Sequence, residues 1–222
     1  MSISKEEIKK DIIDQLYWDY RVDASNVKVS FDDDKIVLEG TVPSYAAKNA
    51  AEFDTWTVKG VTELRNDLTV KYPETFEVPT DEKIKEDIET SLILNYNIDS
   101  TKIDISVSNG FVTLEGTVDA FWKKLHAETI AEGVSGVISV INKIAIIPTE
   151  NIVDKDIAQD IIKSLERNWR VNVDNVNVKI KNGTVELSGT VNNWDAYNAA
   201  MNAARYTIGV IDIKDDLRIA SM

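Results

Sequence analysis

Three times along the chain the tripeptide Gly-Thr-Val closes a segment of alternating apolar residues. The copies are Ile36-Val37-Leu38-Glu39-Gly40-Thr41-Val42, Val112-Thr113-Leu114-Glu115-Gly116-Thr117-Val118 and Val185-Glu186-Leu187-Ser188-Gly189-Thr190-Val191. Twenty residues after each of these glycines stands a Gly-Val pair: Gly60-Val61, Gly136-Val137 and Gly209-Val210. The copies succeed one another at 76 and then 73 residues, Gly40 to Gly116 to Gly189. A fixed internal spacing repeated along one chain means one structural unit used repeatedly. Each unit is then near the lower size limit for independent folding, so the units gain by packing on one another.

Within each unit the apolar residues change period in the same order. Ser4-Lys5-Glu6-Glu7 and Thr80-Asp81-Glu82-Lys83 are helix N-cap signatures, with acids in the first turn where the helix dipole favours them. Steps of four come after them: Ile8, Ile12, Leu16, Tyr20; Ile84, Ile88, Leu92, Tyr96; Ile157, Ile161, Leu165, Trp169. This spacing predicts one buried helix stripe per unit, with Trp169 continuing it into the core. Period-two segments come next (Val27, Val29, Phe31; Ile103, Ile105, Val107; Val176, Val178, Ile180). Asn109-Gly110 and Asn182-Gly183 are hairpin turns, whereas unit one has the poorer turn Asp32-Asp33-Asp34.

An alanine-rich second helix is predicted over 44–58, 120–134 and 193–207, with Ala51, Ala127 and Ala200 equivalent. Gly60, Gly136 and Gly209 read as its stop signals, since glycine favours the position after a helix. Gly40, Gly116 and Gly189 read as places where a Cβ would block a conformation or a close contact. A last strand carries Val61 to Val70 and its counterparts. The expectation is an α+β chain of three tandem small domains, 1–72, 78–148 and 151–222. Each is α-β-β-α-β, with two helices on one face of a three-stranded mixed sheet. The joins are short and bear Pro73, Pro79 and Pro148, so the units should sit close together.

Charge narrows the partners. At a net −13 the chain is unsuited to nucleic acid, which needs clustered Lys and Arg. The imbalance is uneven: 10 basic and 15 acidic groups in 1–76, 6 and 13 in 77–150, 9 and 10 in 151–222. An anionic partner should therefore meet unit three. There is no cysteine, hence no disulfide and no thiolate site. No apolar run approaches the roughly 20 residues that span a bilayer. The first residues lack a secretory h-region, so the chain as it stands reads as cytoplasmic, or periplasmic if a leader has been removed.

Candidate chemistry is sparse. His126, the one histidine, stands where the other two copies have Ala50 and Ala199, and it reads as a helix-boundary residue. Asp32-Asp33-Asp34 has carboxylates suited to a cation but no Ca²⁺-loop sequel, so no metal site, cofactor or catalytic residue is assigned. No phosphate-loop glycine pattern is present and no small-molecule substrate is evident. Asp11, Asp87 and Asp160 recur at one helix position, and the expected task is accepting hydrogen bonds from the backbone of a neighbouring loop. Trp18, Trp56 and Trp122 fall outside the apolar stripes. They read either as packing between units or as contacts to lipid or protein. In unit three Arg167, Arg170 and Arg205, with Trp194 opening the second helix, form the candidate surface for an anionic partner.

Taken together, the strand pair, Leu-x-Gly-Thr-Val, the alanine-rich helix and Gly136-Val137-x-x-Val140-x-Asn142-x-Ile144-x-Ile146 resemble the BON domain, the bacterial OsmY and nodulation module. All three units carry the pattern; Asn66 and Asn142 keep the asparagine of the last strand, and Asp215 replaces it. The resemblance implies a non-enzymatic binding module of envelope or stress-response type, touching phospholipid or a protein partner. It also implies a second possibility, a cytoplasmic protein that binds a small cation such as potassium.

Overall fold

The computed structural model describes residues 3–220. Unit one runs α1 (Lys5–Trp18), β1 (Val27–Asp32), β2 (Lys35–Val42), α2 (Tyr45–Thr57) and β3 (Leu64–Val70). Unit two repeats it as α3 (Asp81–Ile93), β4 (Ile103–Ser108), β5 (Phe111–Val118), α4 (Phe121–Glu132) and a last strand split into β6 (Ser139–Asn142) and β7 (Ala145–Ile146). Unit three is α5 (Asp154–Glu166), β8 (Val176–Lys181), β9 (Thr184–Val191), α6 (Trp194–Arg205) and β10 (Asp212–Ile219).

In each unit the first two strands form an antiparallel hairpin and the last strand adds in parallel beside the middle one. A parallel neighbour needs a crossover, and the second helix supplies it. The fold is thus α+β, three mixed sheets each with two helices. Each unit has its own apolar cluster. At its centre lie the first-helix isoleucines Ile12, Ile88 and Ile161 and the alanines Ala51, Ala127 and Ala200, all at 0% exposure. Alanine at that place lets the second helix close on the sheet without a side chain between them.

The glycines before Thr-Val sit at φ +118, +122 and +129. A Cβ on Gly116 would stand 2.0 Å from the Lys102 carbonyl oxygen, so the position is closed to any other residue. The second glycine set differs from its reading as helix stops. Gly136 lies beyond the α4 cap residue Gly133, at φ +93, and a Cβ there would meet Ile84 Cδ1 at 2.7 Å. These glycines let the loop after the second helix lie on the first helix.

The first-helix stripe also ends sooner than its period implies. Tyr20, Tyr96 and Trp169 are 102%, 94% and 84% exposed, and not buried in the core. The helices stop at Trp18, Ile93 and Glu166, so the third step of four falls past the last turn, where the periodicity no longer governs direction. There the chain enters a turn held by Asp19, Asn95 and Asn168, whose Oδ1 atoms accept from the amides two residues on, at 2.8, 3.1 and 3.1 Å.

The three units close on one another through the second helices. Tyr45, Phe121 and Trp194 are equivalent, the first residue of α2, α4 and α6. Tyr45 lies against Glu132 of unit two. Phe121 packs on the apolar cluster of unit three. Trp194 stacks on Trp56 of unit one, ring centroids 4.4 Å apart. The same head residue thus reaches from one to two, two to three and three to one, a head-to-tail contact that closes within the chain. Tyr72, in the first join, adds a clamp: its hydroxyl accepts from Gly136 N (3.0 Å) and donates to Val137 O (3.1 Å).

Candidate functional site

The residues singled out from sequence do not converge on one surface. Trp56 and Trp194 are half-buried in the seam between units one and three, where Trp194 also stacks on Tyr197 at 4.8 Å. Trp122 is half-buried beside His126, with Lys123 Nζ 5.8 Å from its ring centre. Trp18 ends α1 and is 78% exposed. Arg167 and Arg170 are exposed just past α5, and Arg170 lies over the Trp169 ring at 4.6 Å. Arg205 ends α6 and touches Asn202.

Among the described residues, Asp11, Asp87 and Asp160 accept from no loop backbone. Asp11 and Asp160 are exposed, and Asp87 pairs with Lys83 at 2.8 Å one turn earlier. The expected task falls instead to the first residue of the helix. Asp81 accepts from the hairpin amides of Asn109 and Gly110 (2.6 and 2.9 Å), and Asp154 from those of Asn182 and Gly183 (2.8 and 2.9 Å). In unit one the equivalent residue is Lys5, and the polarity of the contact reverses. Lys5 Nζ donates to Asp33 O at 2.5 Å and pairs with the Asp34 carboxylate at 2.9 Å. Asp32 pairs with Arg65 at 3.1 Å, so cations of the chain itself already pair with two of the three carboxylates of the acidic turn. The signal was legible: lysine stands at this helix position only where the hairpin is acidic.

A second carboxylate group lies in the seam between units one and two. Asn49 donates to Glu132 Oε2 at 3.1 Å, while Asn66 and Asn142 donate to Glu52 and Glu128 at 3.0 and 3.1 Å. Burial first, then the Glu128 and Glu52 carboxylates, push the Glu132 carboxyl up to about 7. Burial and the same acids push Tyr45 up to about 12. Within unit one the buried Asp54 is also pushed up, by burial and by the adjacent Asp19, whose own carboxyl Arg21 holds low.

The feature the units share on their surface is apolar and sits at one place. Around the end of the first helix each presents exposed apolar residues: Tyr17, Trp18 and Tyr20; Ile93, Leu94 and Tyr96; Trp169 flanked by Arg167 and Arg170. The third position is aromatic in every copy. Reading the helix period alone hid this by assigning that residue to the core.

Three α-β-β-α-β units, with the glycines in place throughout and the strand asparagine in the first two, decide the family, and the BON domain matches residues 4–72, 80–148 and 153–221. The chain belongs to the BON domain family. It is 30% identical to the osmotically-inducible protein Y of Escherichia coli strain K12 over 144 residues, 62% of this chain and 72% of that one. Among solved structures it is similar to CdsD, a structural protein of the type III secretion system of Chlamydia trachomatis. The C-terminal domain of CdsD matches at 15% identity and a TM-score of 0.27, covering 98% of this chain and 100% of that one. A second CdsD structure matches at 16% identity and 0.26, covering 94% and 90%. Such global overlap is too low to bear on function. Among the described residues, no helix is long and apolar enough to cross a membrane.

Proposed function

We propose that this protein is a non-enzymatic docking protein that sets the exposed tips of its first helices against a phospholipid surface. The observation that carries the proposal is Tyr20, Tyr96 and Trp169, one position in three copies, each almost fully exposed. Tyrosine and tryptophan have an apolar body and a polar handle, the character suited to the boundary between water and lipid. The tips keep this character but not their remaining residues. A shaped protein pocket would demand side-chain identity, whereas a lipid surface demands only apolar area. Arg167 and Arg170 add attraction to anionic head groups in the unit with the least negative balance. Members of the BON family are generally non-enzymatic, and similarity to an osmotically-inducible protein supports a stress-linked role.

The test is vesicle co-sedimentation at low salt, with phosphatidylglycerol and with phosphatidylcholine vesicles, for the wild type and for Trp169→Ser with Arg167→Ala. The expected outcome is binding to the anionic vesicles, a blue shift of tryptophan fluorescence and loss of both in the variant. Absence of binding to either vesicle type would overturn the proposal.

A further inference from the structure

Each unit has a groove between its first and second helix, and two second-helix positions decide whether the groove is filled. In unit one they are Ala50 and Asp54, and the Asp54 side chain, buried at 3% exposure, lies with Gln15 (3.5 Å) and Asp19. In unit two they are His126 and Ile130, with the Asn95 amide 2.8 Å from His126 Nε2. In unit three both are alanine, Ala199 and Ala203, and the groove is an open cleft of about 750 Å³. That is within the size range of small-molecule sites, roughly 300 to 1,000 Å³.

The charges around this cleft are unspent. Lys163, Arg167 and Arg170 line it, yet none belongs to an ion pair among the described residues, in a chain that carries 38 acidic groups. Guanidinium groups recognise phosphate by paired N–H donors. Asp160 and Asp195 line the same cleft, so three cations face two carboxylates and the net charge is only +1. A bare anion gains little from that balance. A ligand with an anionic end and several hydroxyls gains more, because carboxylates accept from hydroxyls while the Asn198 and Asn202 amides both donate and accept. The Tyr206 side chain, at one end, offers an apolar face for a sugar ring.

We infer that the cleft between α5 and α6 is a binding site for a soluble phosphorylated sugar or polyol, held by Lys163, Arg167 and Arg170 at its phosphate. The site belongs to unit three alone, because its neighbours fill the same space with Asp54 or His126. It shares Arg167 and Arg170 with the lipid reading, and Ala199, which lies outside the exposed tips, separates the two.

The experiment is titration calorimetry at fixed ionic strength with three probes, glucose 6-phosphate, inorganic phosphate and glucose. Two variants accompany the wild type. Ala199→His rebuilds the filler of unit two, where Asn168 already occupies the place of Asn95; Arg167→Ala changes only an exposed side chain. The expected result is saturable binding of glucose 6-phosphate, weakened about tenfold or more by each variant, with a much weaker response to the other two probes. Circular dichroism checks that the variants fold. Silence of the wild type toward glucose 6-phosphate overturns the inference, as does equal binding by wild type and Ala199→His. Equal affinity for inorganic phosphate overturns it too. Retention of vesicle binding by Ala199→His while glucose 6-phosphate binding is lost supports it; loss of vesicle binding with no sugar-phosphate response assigns the cleft to lipid head groups and overturns it.

Discussion

Replacing Glu132 by glutamine should stabilise the protein progressively as pH rises from about 4.5 to about 7, and in full above that. Glu132 sits in the seam between units one and two, with Glu128 a turn before it on α4 and Glu52 facing it from α2. Tyr45 and Asn49 complete its surroundings, and Asn49 bonds Glu132 Oε2 at 3.1 Å. Folded, the carboxyl keeps its proton to about 7; unfolded, it releases it near 4.5. Between those values the folded chain holds more protons, so stability falls as pH rises, and the loss is complete above about 7.

At about 1.36 kcal/mol per pH decade, that interval has a ceiling of about 3.4 kcal/mol. Half-burial and solvent screening reduce it to roughly 1–2 kcal/mol. Glutamine removes the charge, and its carbonyl still accepts from Asn49. Urea unfolding at pH 5 and at pH 8 is the assay. The variant should gain about 1–2 kcal/mol at pH 8 and roughly a quarter of that at pH 5, where the folded carboxyl keeps its proton while the unfolded one has largely lost it. Equal gains at both pH values, or a loss at pH 8, would refute the idea that burial of the Glu132 charge, with repulsion from Glu128 and Glu52, strains the seam.

The same geometry sets further outcomes. Gly116→Ala sets a Cβ 2.0 Å from the Lys102 carbonyl and should cost about 4 kcal/mol or more, read as a collapse of the urea midpoint. Asp154→Ala leaves the Asn182 and Gly183 amides without their acceptor and should cost about 1–2 kcal/mol. Lys5→Asp copies units two and three at the equivalent place, yet should destabilise unit one, because its hairpin presents Asp33 O and the Asp34 carboxylate. Amide exchange at the hairpin tip would locate the damage. A double-mutant cycle on Trp56→Ala and Trp194→Ala should return a coupling of about 1 kcal/mol; a coupling near zero would mean that the stacked rings do not hold units one and three together.

By itself the sequence determined the number of units, the order of their elements and the faces that are buried. These rest on short-range facts: a period of about 3.6 puts Ile8, Ile12 and Leu16 on one helix face, period two does the same for a strand, and a glycine at φ +122 leaves its mark wherever it recurs. Sequence periodicity carries no information past the last turn, so Tyr20, Tyr96 and Trp169 were read as core and only the tertiary structure placed them in water. The exchange of Asp81 for Lys5 is legible only as lysine co-occurring with an acidic turn; that the two touch is decided by the fold of a whole unit, which brings the hairpin tip to the helix start. The closure of Tyr45, Phe121 and Trp194 around three units, the crowding of Glu52, Glu128 and Glu132, and the open cleft beside Ala199 all depend on distances between residues far apart in the chain. Such distances are set by packing, where a side chain's neighbour is whatever the core geometry delivers, and no local pattern encodes them.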